Sequence, residues 1–130
     1  TLEEWKIINQ TKKIMGAESI KVAATCVRVP IVNGHSESIY IELKEETTVQ
    51  AIQEILAKAP GVELVDDPSQ QRYPQAINCI DQKGTFVGRI RRDLDNPKGF
   101  HLWVVSDNLL KGAALNSIQI AEKMHELALI

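Results

Sequence analysis

From Leu2 to Met15, apolar and aliphatic positions recur at helical spacing: Trp5, Ile8 and the stem of Lys12 share a face, and Ile7 and Ile14 flank it. Thr1 stands where an N-cap belongs, and Glu4 three positions on completes a capping box. Glu3 and Glu4 suit the positive end of the helix dipole, and Gly16 suits the C-cap. Ser19 to Val29 is β-branched and apolar without clean alternation, which predicts a strand buried on both faces. Pro30 to Gly34 then turns the chain. Alternation returns from Ser36 to Leu43, where Ile39, Ile41 and Leu43 point one way and Ser38, Tyr40 and Glu42 the other. These two strands are expected to form an antiparallel pair with Arg28 and His35 near the same end.

Thr47 or Thr48 caps a second predicted helix reaching about Ala59, with Val49, Ile52, Ile55 and Leu56 on one face and Pro60-Gly61 as its stop. Val62 to Val65 reads as a short strand and Asp66 to Pro74 as a polar loop. Gln75 to Ile80 and Thr85 to Arg92 read as strands joined by a hairpin-like connection through residues 81–84. Phe100 to Ser106 is a further apolar strand. From Asn108 to Ala128 the pattern is helical, with Leu115, Ile118, Ala121 and Met124 as the buried stripe, extending to Leu127 and Ala128. The order αββαββββα predicts an α+β fold, a mixed, largely antiparallel sheet packed against helices.

The chain has 130 residues, enough for one domain with a core and short for a complete cofactor-dependent enzyme. A formal charge of −2 without a basic run argues against nucleic acid and anionic membranes as partners. Neither a long apolar span nor a secretory signal pattern is present, so the expected location is cytoplasmic. The first residue is not methionine and sits directly at a helix cap, which suggests a piece of something larger. No GxGxxG opens a βαβ unit and no GxxxxGK[ST] occurs, so the standard phosphate loops are absent. Cys26 and Cys79 lack metal-site spacing and read as reduced, partly buried thiols, with no metal expected.

The chemistry gathers around residues 26–38. An arginine, Arg28, precedes a proline and an Asn-Gly turn, and His35 emerges beside Ser36, Glu37 and Ser38. A guanidinium holds a carboxylate bidentately, and an imidazole moves a proton near neutral pH. A structural reading stands beside this one, in which Arg28 pairs with a carboxylate such as Glu3 or Glu37 and His35 is an ordinary turn residue. Arg89, Arg91 and Arg92 form a charged strand end, solvated or facing a subunit. After the apolar strand, Asp107 and Asn108 lead into Gly112, Ala113 and Ala114; this is either ordinary capping or an open backbone that a flat ligand can approach. His101, His125 and Trp103 read as structural.

Several segments together resemble the C-terminal part of the aspartate-semialdehyde dehydrogenase family. They are Glu3-Glu4-Trp5-Lys6, Thr25 to Pro30 with Gly34 to Ser38, Phe86 to Asp93, and Leu102 to Asn108 followed by Lys111 to Asn116. The resemblance runs the length of the chain in one order. It implies the C-terminal domain fold of glyceraldehyde-3-phosphate dehydrogenase-like enzymes and an NADP-dependent oxidoreductase of lysine, threonine and methionine biosynthesis. That enzyme reduces aspartyl phosphate to aspartate semialdehyde and phosphate through a cysteine thioester. The resemblance further implies His35 as acid-base catalyst, Arg28 and Glu3 as substrate contacts, Lys6 as a phosphate ligand, Asn108 near the nicotinamide, and a homodimer formed through this domain's sheet. The family's NADP-binding domain and nucleophilic cysteine belong upstream of the Glu-Glu-Trp-Lys helix, so residues 1–130 alone are expected to be inactive. Asn78-Cys79 copies the nucleophile's dipeptide but falls after the histidine and is rejected. Two alternatives stay open: a binding or dimerisation module without chemistry, and a reductase of another acyl phosphate such as N-acetylglutamyl phosphate.

Overall fold

Helix α1 (Leu2–Met15) forms as its cap residues dictate. Thr1 Oγ1 accepts from Glu4 N at 3.3 Å, the Glu4 side chain reaches back to the Thr1 backbone nitrogen at 2.6 Å, and Gly16 closes the helix in the left-handed conformation. The computed structural model describes residues 1–130, which divide into two compact units, Thr1–Pro30 and Ile31–Ile130. In the first unit the strand expected over Ser19 to Val29 does not form. This stretch is extended but irregular, and Val27 and Val29 are exposed rather than buried on two faces. A strand exists only when a neighbour takes its backbone groups. Here the Cys26 N–H donates instead to the Glu4 carboxylate of α1, at 3.0 Å.

The second unit is built on β1 (His35–Glu42), α2 (Val49–Lys58), β2 (Val62–Leu64), α3 (Ala76–Cys79), β3 (Thr85–Arg92), β4 (Gly99–Ser106) and α4 (Leu115–Glu126). The strands form one sheet in the order β1-β4-β3-β2. β1 and β3 pair antiparallel with β4, and β2 pairs parallel with β3. The expected α+β class with a mixed, largely antiparallel sheet is therefore present, although β1 pairs with β4 and not with the preceding segment. Its register sets His35 opposite Ser106 and Glu42 opposite Gly99.

Residues on opposite faces of β4 seed two cores. Phe100 and Leu102 pack with Val87, Ile90 and Ile52 of α2, whereas Val105 packs with Phe86 and Cys79 of α3. Full burial of each large apolar side chain stabilises the fold by about 1.5–3 kcal/mol. The expected strand over Gln75 to Ile80 is instead α3, a single helical turn whose Ala76 and Cys79 face the second core, so no hairpin joins it to β3. The C-terminal helix begins later than expected and follows a wide π-type turn, Leu110–Ala114, in which Ala113 leaves helical geometry. Of its expected stripe, Leu115 and Met124 are half-buried while Ile118 and Ala121 are exposed.

The alternation expected to put Arg89 and Arg91 on one face is broken by a bulge. The β3–β4 register shifts between Gly88 and Arg91, and Arg89 takes a φ of 53°. Asp66 receives the released N–H groups of Arg89 at 2.8 Å and Ile90 at 3.1 Å, while Gln53 Nε2 of α2 donates to the same carboxylate at 2.9 Å. Just before the bulge the chain comes so close to β2's end that a Cβ on Gly88 would lie 2.0 Å from the Val65 carbonyl oxygen. Gly88→Ala is expected to destabilise the fold by about 3 kcal/mol, because backbone and not a flexible side chain would have to yield. Denaturant unfolding measures it, and an unchanged midpoint would show that the close approach can relax.

Candidate functional site

His35 is placed by the turn before it and the strand it begins. Gly34 has a φ of 97°, which a side chain at that position would resist, and its N–H donates to Asn108 Oδ1 at 2.8 Å. From there the chain enters the β1 ladder opposite Ser106, leaving the imidazole exposed. His35 and Glu37 lie two residues apart on one side of β1, yet no hydrogen bond joins them. The backbone turn fixes the position of the His35 main chain, and no side-chain partner holds the ring.

Asp107 holds the other side of this corner. It is the buried charged residue of the chain, 2% exposed, and its carboxylate accepts from Asp81 N at 2.9 Å, Leu109 N at 2.8 Å and Leu110 N at 3.3 Å. Charge-assisted bonds of this kind offset the cost of burial. They hold its pKa below the usual carboxylate range, with the Asp81 N–H the largest cause. Of the two capping residues the sequence offered, Asp107 caps the turn and Asn108 turns its carbonyl to Gly34. Beyond them Gly112, Ala113 and Ala114 are exposed, and a Cβ on Gly112 would meet nothing nearer than Asn108 Cβ at 3.9 Å. A π-type turn of small residues leaves backbone accessible to a flat group.

The remaining predicted residues lie in the first unit. Glu3 and Lys6 sit one helical turn apart on α1 and pair at 2.8 Å, both exposed to solvent. Arg28 follows in the extended segment, exposed and without an ion pair, so the structural partner weighed for it, Glu3, is taken by Lys6. Glu4, which sequence reasoning assigned only to capping, fixes Cys26 two residues before Arg28. Cys79 is buried, and burial pushes its thiol up, as suits an unreactive core cysteine and agrees with its rejection as nucleophile. His101 is occupied structurally, its Nε2 standing 3.2 Å from Asp93 Oδ2. Asp107 is the residue whose importance was least visible in sequence; the signal was a carboxylate at the junction of a fully apolar strand and a helix.

A mixed four-stranded sheet backed by α2 and α3, with a histidine at the start of its edge strand, is the C-terminal domain architecture of glyceraldehyde-3-phosphate dehydrogenase-like enzymes. Within that class the chain belongs to the semialdehyde dehydrogenase dimerisation-domain family, whose profile matches residues 1–111. It is 60% identical over its whole length to an aspartate-semialdehyde dehydrogenase of Bacillus subtilis and spans 38% of that protein. It is 50% identical to one of Legionella pneumophila over 94% of this chain and 35% of that protein. Among solved structures, aspartate semialdehyde dehydrogenase II of Vibrio cholerae, complexed with ASA, superposes with a TM-score of 0.91 at 37% identity, over 97% of this chain and 37% of that one. The enzyme of Candida albicans, solved with NADP, superposes with a TM-score of 0.80 at 28% identity, over 98% of this chain and 43% of that one. The chain thus spans little more than a third of the length of the curated relatives named here.

Removing the Asp107 carboxylate leaves three backbone N–H groups without their acceptor. Asp107→Ala is expected to lower Tm on the order of 5 °C or more near neutral pH. Because the folded pKa is depressed, this stabilisation is present above the ordinary carboxylate range and is lost as pH falls through the folded value. Melting curves at about pH 7 and about pH 3 should therefore show a gap that narrows in acid. Equal gaps at both would mean that the charge is not what holds the corner.

Proposed function

We propose that this chain is the catalytic and dimerisation domain of an NADP-dependent aspartate-semialdehyde dehydrogenase. The full enzyme interconverts aspartyl phosphate plus NADPH and a proton with aspartate semialdehyde, phosphate and NADP, supplying the lysine, threonine and methionine pathways in the cytoplasm. The observation that carries this reading is the likeness over the whole chain to an enzyme of that name, at 60% identity.

His35 takes the role of acid-base catalyst. Exposed at a held turn, its imidazole takes the proton of the attacking thiol, gives it to the oxygen of the thiol–aldehyde adduct, and takes it up again as the hydride leaves, with the steps reversed in the other direction. The thiol itself, and the domain that binds most of NADP, come from sequence outside these 130 residues, so residues 1–130 alone do not turn over. Arg28, exposed and free of any carboxylate partner, is suited to a bidentate grip on the substrate carboxylate. Glu3 contacts the substrate amino group and Lys6 the phosphate; the two side chains pair with each other at 2.8 Å while no ligand is bound. Solvent screening makes such a pair weak, so a phosphate can displace it at little cost.

The nicotinamide end of NADP fits the open backbone of Gly112 to Ala114 beside Asn108, where no side chain crowds the approach. When bound, the cofactor supplies or accepts the hydride; the chain's own part is to leave an open backbone surface for it. Dimer formation proceeds through the sheet, with the Arg89, Arg91 and Arg92 strand end among the facing residues. The description of the family as a dimerisation domain supports this.

The first test is phosphate-dependent reduction of NADP by aspartate semialdehyde with the full-length protein that carries this domain. His35→Ala should lower kcat by about 10²–10⁴. An unaffected variant would remove His35 from proton transfer, and activity only with N-acetylglutamyl semialdehyde would move the reading to the other acyl phosphate. For the assembly, light scattering should return twice the mass of one full-length chain; a monomer at high concentration would refute the dimer.

A further inference from the structure

We infer that Asn108 is the positioning residue of His35: its side-chain carbonyl, locked in place by buried Asp107, holds the Gly34 N–H and thereby sets where the imidazole stands. This rests on the role given to His35 above and assigns to Asn108 a task other than touching the cofactor.

The strand ladder cannot fix His35 alone. It ends at the His35–Ser106 pair, so the residue before the histidine has no ladder partner. A glycine with a φ of 97° is also the backbone position most free to change conformation. The 2.8 Å bond from Gly34 N to Asn108 Oδ1 is the tie that closes this freedom, one residue upstream of the imidazole. The tie is only as good as its anchor, and the anchor is rigid on both sides. Asp107 accepts from Leu109 N and Leu110 N after Asn108 and from Asp81 N across the corner, while its own carbonyl accepts from Lys111 N at 2.8 Å. Four backbone N–H groups thus hold the residue next to Asn108, which is itself half-buried. Ala76 Cβ and the Ser106 carbonyl lie 3.5 and 3.6 Å from where a Gly34 Cβ would be, so the turn also has walls. Catalytic geometry tolerates little slack, and a loosened imidazole loses turnover before it loses ligand affinity.

The amide of Asn108 permits a clean separation of roles. Its carbonyl serves Gly34, whereas a contact to the nicotinamide carboxamide would draw on its NH₂ group as well. Asn108→Asp keeps an oxygen acceptor of the same shape and loses the amide donors; Asn108→Ala loses both.

In the full-length enzyme, Asn108→Ala should lower kcat by about tenfold or more with KM for NADP nearly unchanged. Hydrogen exchange of the Gly34 amide should rise at the same time. Asn108→Asp should restore Gly34 protection and bring kcat to within about threefold of the native enzyme. If instead Asn108→Ala raises KM for NADP while kcat and Gly34 exchange stay put, or if Asn108→Asp regains protection but not turnover, the positioning role is overturned in favour of a cofactor contact. Should Asn108→Ala fail to fold, Asn108→Asp decides on the same two readouts. Should the native full-length protein not turn over aspartate semialdehyde at all, the proposed activity falls and positioning is read on the imidazole itself. The ring signals of His35 in NMR then shift in Asn108→Ala and return in Asn108→Asp if Asn108 positions it, and stay unmoved in both if it does not.

Discussion

β4 is the constraint from which most of this domain follows. It has a strand on each edge and a core on each face, so all of its backbone and nearly all of its side chains must be satisfied within the protein. Phe100 and Val105 lie on opposite faces and are both fully buried. Its one titratable side chain, His101, is half-buried and faces Asp93. The first carboxylate is Asp107, just beyond the ladder, where the N–H groups of Asp81, Leu109 and Leu110 donate to it. The polar corner therefore sits where the apolar strand runs out, and the same ladder brings the start of β1 to that point.

The corner differs in kind from the cores. Cores built from Leu, Val and Phe tolerate repacking so long as volume is kept. A buried carboxylate with three directional partners has a single arrangement, and losing one partner leaves a costly unpaired group. Precision near His35 is thus derived from hydrogen bonding, while stability comes from β4 and α2.

Much of the fold was readable in sequence wherever local signals and tertiary packing agreed. The α1 caps, the extent of β3, the Thr48-capped α2 and nearly all of β4 follow from periodicity and capping chemistry. The failures share a cause. Residues 19–29 have strand-like composition, but composition does not supply a neighbour, and the Glu4–Cys26 bond took the backbone elsewhere. The Gln75 to Ile80 segment is too short for its period to be told from its content, and the i,i+3 pair Ala76 and Cys79 won because it faces the second core. The Arg89 bulge depends on Asp66, a loop residue more than twenty positions away, which no local window contains. His35, Asn108, Glu3 and Lys6 were singled out as candidates by the resemblance to the family's motifs. That Asn108 grips Gly34, and that Asp107 is buried behind it, required the three-dimensional register.

The pairing of β1 with β4 also carries a consequence for how the domain is made. β3 and β4 are joined by a short connection and can zip locally, whereas His35 meets Ser106 only after some seventy intervening residues have been gathered in. Closing the longer loop costs more chain entropy and gains its contacts late. During synthesis, too, the histidine leaves the ribosome long before the strand that will seat it. The corner that seats His35 is therefore among the last parts to take shape, and until then the Asn-Gly turn and its imidazole remain on an unpaired strand.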